Sequence, residues 1–181
     1  FEAKIGNIPV IVTRTGWTGE LGYELYLLDP ARGVELWERV MEAGKPFGLA
    51  PTGPSDIRRI EAGILNYGID MTLDNNPYEV GLERLVNLDK AADFIGRDAL
   101  RRISREGIRK KLVGVEVGGK PLDMNMTRYP VKGGGFITSC IYSPRHKKNI
   151  GYAMLPIEKA AEKKLRIEVP GGARNAVVVP M

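Results

Sequence analysis

The 181-residue sequence has little of what most quickly betrays a chemistry. It has one cysteine, Cys140, which excludes an internal disulfide framework and a multi-cysteine metal site. It has one histidine, His146, so a Ser-His-Asp triad would rest on a single residue in a basic loop. There is no GxSxG and no GxxxxGK[ST]. The glycine-rich patches around Gly16 and Gly133 lack the strand-to-helix setting that a phosphate loop requires. Asp70, Asp74 and Glu79 lack the spacing of an EF-hand calcium loop, and no metal site is expected. No apolar run approaches the roughly 20 residues of a membrane helix. No basic-then-apolar signal segment opens the chain. An initiating Met is absent too: Phe1 sits almost inside a strand-like run, and "AVVVPM" closes the sequence as another. Both ends read as cuts through a longer polypeptide.

What is present is an ordinary globular composition, 43 % hydrophobic and 27 % charged, long enough to bury a useful core. The net charge is +5, unevenly spread. Residues 1–105 hold 13 basic and 16 acidic side chains, a net of −3. The remainder holds 14 basic and 6 acidic, a net of +8. The split suggests two modules. The basic half reads as a solvated surface or as attraction to an acidic or polyanionic partner. Its lysines are scattered without interleaved aromatics, which argues against nucleic acid.

The pattern of elements changes at the same place. "EAKIGNIPVIVTRT" reads as a hairpin turning at Gly6-Asn7, and "GYELYLL" as a strand with Glu24, Tyr26 and Leu28 on one face. Asp29-Pro30 starts a helix whose apolar stripe is Val34, Trp37, Val40 and Met41, closed by Gly44. A second helix starts near Pro54 and ends at Gly63, and "DFIGRDALRRISREG" is a third, with Ala99, Leu100 and Ile103 inward. A loop rich in Asn, Asp and Gly lies between them. After Gly107, "KKLVGVEV", "FITSCIYS", "NIGYAML", "KLRIEV" and "NAVVVP" are evenly spaced short strands, the pattern of a small antiparallel barrel or sandwich. The class is α+β, with a domain of hairpins and helices over 1–106 and a β-barrel domain over 107–181.

Three stretches carry chemistry. In "RTGWTGELGYELYL", Gly16, Gly19 and Gly22 permit turns around Trp17, Glu20 and Glu24. This is either a glycine-bent hairpin with a core Trp, or a curved wall with an aromatic plate and a carboxylate. A carboxylate accepts two parallel N–H bonds, which suits guanidinium and also heterocycles with a 2-amino group beside a ring N–H, such as pterins and guanines. In "IRRIEAGILNYGIDM", Arg58, Arg59 and Glu61 precede a turn with Tyr67 and Asp70. An Arg58–Glu61 surface pair would be worth only tenths of a kcal/mol. In "SPRHKKNIGYAML", Arg145, Lys147 and Lys148 form a basic loop before a strand.

In this order the stretches resemble the aminomethyltransferase family, the glycine cleavage T-protein and its tetrahydrofolate-dependent demethylase relatives. The first resembles the family's R-T-G-Y-T-G-E-x-G-x-E. "RRIEAGILNYGIDM" resembles R-L-E-A-G-x-x-x-Y-G-x-D, and "GFITSCIYSPRHKKNI" resembles G-x-x-T-S-G-x-x-S-P-x-L-x-K-N-I. "NPYEVGLERLVNLDKAADFIGRDAL" resembles T-P-x-E-A-G-L…V…K…F-I-G-R-x-A-L. The match runs nearly end to end. Family members are about twice this length, so the chain looks like a C-terminal half: the end of an α/β folate-binding region, then the small barrel.

The resemblance implies one-carbon transfer, of an aminomethyl or methyl group, to tetrahydrofolate. It implies that Glu24 holds the pterin, that Trp17 stands where Tyr is usual as a wall, and that Glu20 is structural. Tyr67, Asp70 and Arg59 are the other expected cofactor-binding residues. The family's catalytic aspartate belongs to the N-terminal half, so none is expected in this chain. Arg145, Lys147 and Lys148 are candidates for the folate glutamate tail or an acidic carrier. The implied partners are a lipoyl carrier protein or a small one-carbon donor, and the N-terminal half. The implied location is cytoplasmic, or the mitochondrial matrix in a eukaryote. One departure matters: in glycine-cleavage members an Arg often stands where this chain has Ser55, with Arg58 or Arg59 left to compensate. That moves weight toward a demethylase or the folate module of a dimethylglycine or sarcosine dehydrogenase. A non-catalytic folate-binding or docking module is the remaining reading.

Overall fold

The computed structural model describes residues 1–181 and separates into two compact units, Phe1–Ala62 and Gly63–Met181. No helix is long and apolar enough to cross a membrane.

The first unit is built on a three-stranded antiparallel sheet of β1 (Glu2–Ile5), β2 (Ile8–Thr13) and β3 (Glu24–Leu27), in that order. The expected turn joins β1 to β2, with Gly6 at φ 62° and Ile5 paired to Ile8. Alternation then sorts the faces. Ile8 and Val10 are buried against Leu36 of α1 (Gly33–Gly44), with Ala3, Ile5, Val12, Leu27 and Val40 around them. The opposite face carries Ile11, Thr13, Glu24 and Tyr26, because Thr13 pairs with Glu24 and Ile11 with Tyr26.

Asp29 caps as its position suggests, accepting from the Ala31 N–H at 3.1 Å, but what it caps is a 3₁₀ turn, Pro30–Arg32, that leads into α1. The buried stripe of α1 is Leu36 with Val40, not Val34 and Trp37, which are 72 % and 57 % exposed. The helix carries apolar residues on more than one side, and the sheet takes the side that meets Ile8 and Val10. α1 ends at Gly44 and passes into a second 3₁₀ turn, Lys45–Phe47, closed by Gly48 in the left-handed region. α2 (Asp56–Glu61) starts where Ser55 accepts from the Arg58 N–H at 3.3 Å.

In the second unit, loops over 63–96 lead to α3 (Arg97–Glu106). Glycines bound this helix on both sides, Gly96 at φ 91° and Gly107 at φ 83°. Leu100 and Ile103 are half-buried, whereas Ala99 is exposed. The strands follow: β4 (Lys110–Val117), β5 (Tyr129–Pro130), β6 (Phe136–Ser143), β7 (Lys148–Pro156), then a one-turn α4 (Ile157–Ala160), β8 (Lys164–Val169) and β9 (Gly172–Val179). They form one antiparallel sheet in the order β5-β6-β7-β4-β9-β8.

The two outer strands meet through the Val131–Ile167 bridge and the Lys132 N–H to Arg166 carbonyl bond of 2.8 Å, so the sheet curls into a nearly closed barrel. β8 alternates strictly, sending Leu165, Ile167 and Val169 inward. Val115, Ile137 and Leu155 meet them in the core. The register of β6 against β7 slips between Ile137 and Ser139, a bulge at Thr138.

Candidate functional site

Glu24 opens β3 on the sheet face away from α1. Its Oε2 accepts from the Thr15 hydroxyl and, at 3.0 Å, from the Tyr26 phenol. Thr13, its partner in register, is 2.6 Å hydroxyl to hydroxyl from Thr15. Bonds to the charged form hold the Glu24 carboxyl below the ordinary glutamate range, the Thr15 bond first and the Tyr26 bond next, against a smaller opposing effect of burial. No neighbouring charge contributes. Both bonds land on Oε2 and neither on Oε1, and the Thr13 side chain lowers the carboxyl further as the smallest contribution. The result is an ionised, oriented carboxylate whose second oxygen takes neither bond.

The glycine run 14–23 joins β2 to β3. Gly19 has φ 72°, and a Cβ there would stand 2.5 Å from the Ala62 Cβ, so only glycine lets this loop close on the end of α2. Arg59 is fully buried, its Nε donating to Asp56 Oδ1 at 2.6 Å, and its guanidinium lies 5.8 Å from the Trp17 ring centroid. Trp17 and Arg59 are therefore brought together. A helical ion pair here joins Arg59 to Asp56, two residues nearer the N-terminus than the Arg58–Glu61 pair considered above. Ser55 is occupied as the cap of α2.

Tyr67 and Asp70 lie in the second unit. Tyr67 is 62 % exposed beside a bridge to Met71. Asp70 is 2 % exposed. Its Oδ1 accepts from Thr138 Oγ1 at 2.7 Å and Ser139 Oγ at 2.6 Å, and its Oδ2 from the Asn66 N–H at 2.9 Å. Neighbours on a regular strand point to opposite faces; the bulge at Thr138 is what lets both hydroxyls reach one oxygen. Asp70 thus ties the 66–71 turn to the barrel. In the basic loop, Lys148 pairs with Glu116 at 2.7 Å, while Arg145 and Lys147 are exposed.

Sequence reasoning gave no role to Thr13, Thr15, Thr138 or Ser139, although Thr138 and Ser139 stand at the T-S of the barrel motif quoted above. Alternation along β3 put Tyr26 beside Glu24, but only the register of β2 against β3 brings Thr13 opposite. No sequence pattern announces the bulge.

Two family models match the chain: the GCVT N-terminal domain over residues 1–90 and the glycine cleavage T-protein C-terminal barrel domain over 110–181. An aminomethyltransferase of Shouchella clausii is 40 % identical over 177 residues, covering 95 % of this chain and 48 % of its own length. One of Thermoanaerobacter pseudethanolicus is 40 % identical over 172 residues, covering 93 % and 46 %. The chain spans about half the length of these curated relatives. The crystal structure of glycine cleavage system aminomethyltransferase T from Bartonella henselae shares the fold, with a TM-score of 0.77 at 24 % identity over 94 % of this chain and 48 % of that one.

Proposed function

Because the chain belongs to the glycine cleavage T-protein family, we propose that it serves a tetrahydrofolate-dependent aminomethyl or methyl transfer, with Glu24 as the pterin anchor. The observation that carries this reading is an ionised Glu24 whose Oε2 is held by Thr15 and Tyr26 while Oε1 takes neither bond. The donor set fits the group: a carboxylate is what the 2-amino and N3–H edge of a pterin requires. Tetrahydrofolate, when bound, supplies the nitrogen that takes the one-carbon unit.

The rest is done by the protein's own residues. Thr15 and Tyr26 keep Glu24 charged and fixed. Trp17, backed by the Arg59 guanidinium, provides an aromatic wall. In the second unit, taken by itself, Tyr67 offers an exposed ring on a turn that Asp70 holds to the barrel. A pterin held on Glu24 would be positioned for reaction, and fixing a reactant can remove several kcal/mol from a bimolecular barrier. Arg145 and Lys147, exposed and unpaired, suit an acidic carrier protein or the folate glutamate tail. A cytoplasmic location agrees with bacterial relatives.

The test is a calorimetric titration of tetrahydrofolate into the protein as its gene encodes it. Glu24→Ala should weaken binding at least about tenfold, as loss of a charge-assisted bond does. Glu20→Ala should leave it unchanged. Equal small effects would remove Glu24 from the site.

A methyl-donor reading rests on a specific observation. Ser55 stands where glycine-cleavage members often carry a ligand-contacting Arg, and its hydroxyl is spent on the cap of α2. Turnover with a methylated donor in place of an aminomethyl carrier would select this alternative.

A further inference from the structure

The second unit holds a cavity of about 210 Å³, and of its lining only Asp70 enters the folate reading, where it holds a turn. Its wall comes from the 69–75 loop, from Arg128 just before β5, and from β4, β6 and β7 of the barrel. Ile69, Met71, Phe136 and Met154 give it apolar surface. Four charged side chains line it: Asp70, Asp74, Lys110 and Arg128.

Two of the four are committed. Asp70 is taken up by Thr138, Ser139 and the Asn66 N–H. Lys110 Nζ donates to the Asp74 carbonyl at 3.3 Å and lies 3.9 Å from Glu79 Oε2. The other two are not. The Arg128 guanidinium is stacked 4.2 Å from the Phe136 ring centroid and makes no hydrogen bond or ion pair. Stacking uses the face of the guanidinium and leaves its in-plane N–H donors for a carboxylate. The Asp74 carboxylate takes only a long 3.4 Å bond from Thr72 Oγ1, on Oδ2. Arg128 and Asp74 do not pair with each other, although they line the same cavity.

An uncommitted cation and an uncommitted anion held apart in one partly apolar cavity complement a ligand that carries both charges. The volume is below that of ordinary drug-sized sites, so the ligand is small. We propose that this cavity binds a small zwitterionic amino acid, its carboxylate on Arg128, its ammonium on Asp74 and its short apolar part toward Met71, Phe136 and Met154. The two charges it uses, Arg128 and Asp74, take no part in the folate reading.

The experiment is a calorimetric titration of L-alanine into the protein, with propionate and ethylamine as the two half-ligands. Saturable alanine binding should be at least about tenfold tighter than either half-ligand, since each charge then meets its partner. Arg128→Met and Asp74→Asn should each weaken it about tenfold. Both residues are exposed, and an unchanged melting temperature would show that the variants fold. Propionate binding as well as alanine, with Asp74→Asn silent, would reduce the site to an anion subsite and overturn the proposal. So would no saturable alanine binding up to ~10 mM. Folate binding in the same preparation reports on Glu24 separately, so either reading can fail alone.

Discussion

The Tyr26 phenol donates to Glu24 Oε2 across 3.0 Å, and the Thr15 hydroxyl donates to the same oxygen. Both stabilise the charged form, so the folded carboxyl titrates below its unfolded value. Its contribution to stability is complete above the unfolded value and is lost as pH falls through the folded one. Thr15→Val should therefore raise the Glu24 pKa and move the acid limb of tetrahydrofolate binding to higher pH. Thr15→Ser should restore it, and Tyr26→Phe should produce a smaller shift. Affinity measured against pH, with a carboxyl-carbon NMR titration of Glu24, checks both.

The Ala62 Cβ lies where a Cβ on Gly19 would have to go, and Gly19 holds φ 72°. Gly19→Ala should cost about 1–3 kcal/mol by strain and overpacking. Gly16 has open space around the same construction, and Gly16→Ala should cost less. Urea denaturation of the two variants measures the difference.

Asp70 joins a loop to the barrel through two adjacent hydroxyls. Ser139→Ala should destabilise by about 1–3 kcal/mol, because a buried carboxylate loses a donor. Asp70→Asn should cost about as much or more. In a double-mutant cycle the two should couple, since they share one oxygen. Additive effects would mean that the Asp70–Ser139 bond contributes nothing.

Cys140 is buried in the barrel, and burial pushes its thiol up to about 12. A neutral, enclosed thiol is a poor nucleophile. Alkylating reagents at pH 8 should leave it unmodified in the native protein and label it fully in denaturant, as mass spectrometry would report.

The sequence determined much by itself. Alternation and glycine spacing place β4, β6 and β8, because a strand half-facing a core must alternate and a turn must break. Asp29 announced a cap, Gly6-Asn7 a hairpin, and the ordered motifs the family. Tertiary structure decided the rest. α1 carries apolar residues on several sides, and only the sheet selects Leu36 over Trp37. β5 is two residues long, too short for any periodicity, yet the chain beyond it closes the barrel at Val131. Asp70 stands in a loop rich in Asn, Asp and Gly and was expected among the cofactor-binding residues; a one-residue bulge in β6 turned Thr138 and Ser139 onto it and buried it. Glu24 was singled out along the chain as a carboxylate of the glycine-rich run, but the hydroxyls that orient it come from the end of β2 and the loop beyond. A residue's chemistry is local and can be read along the chain, whereas its partners are fixed by register and packing between segments that lie apart in sequence.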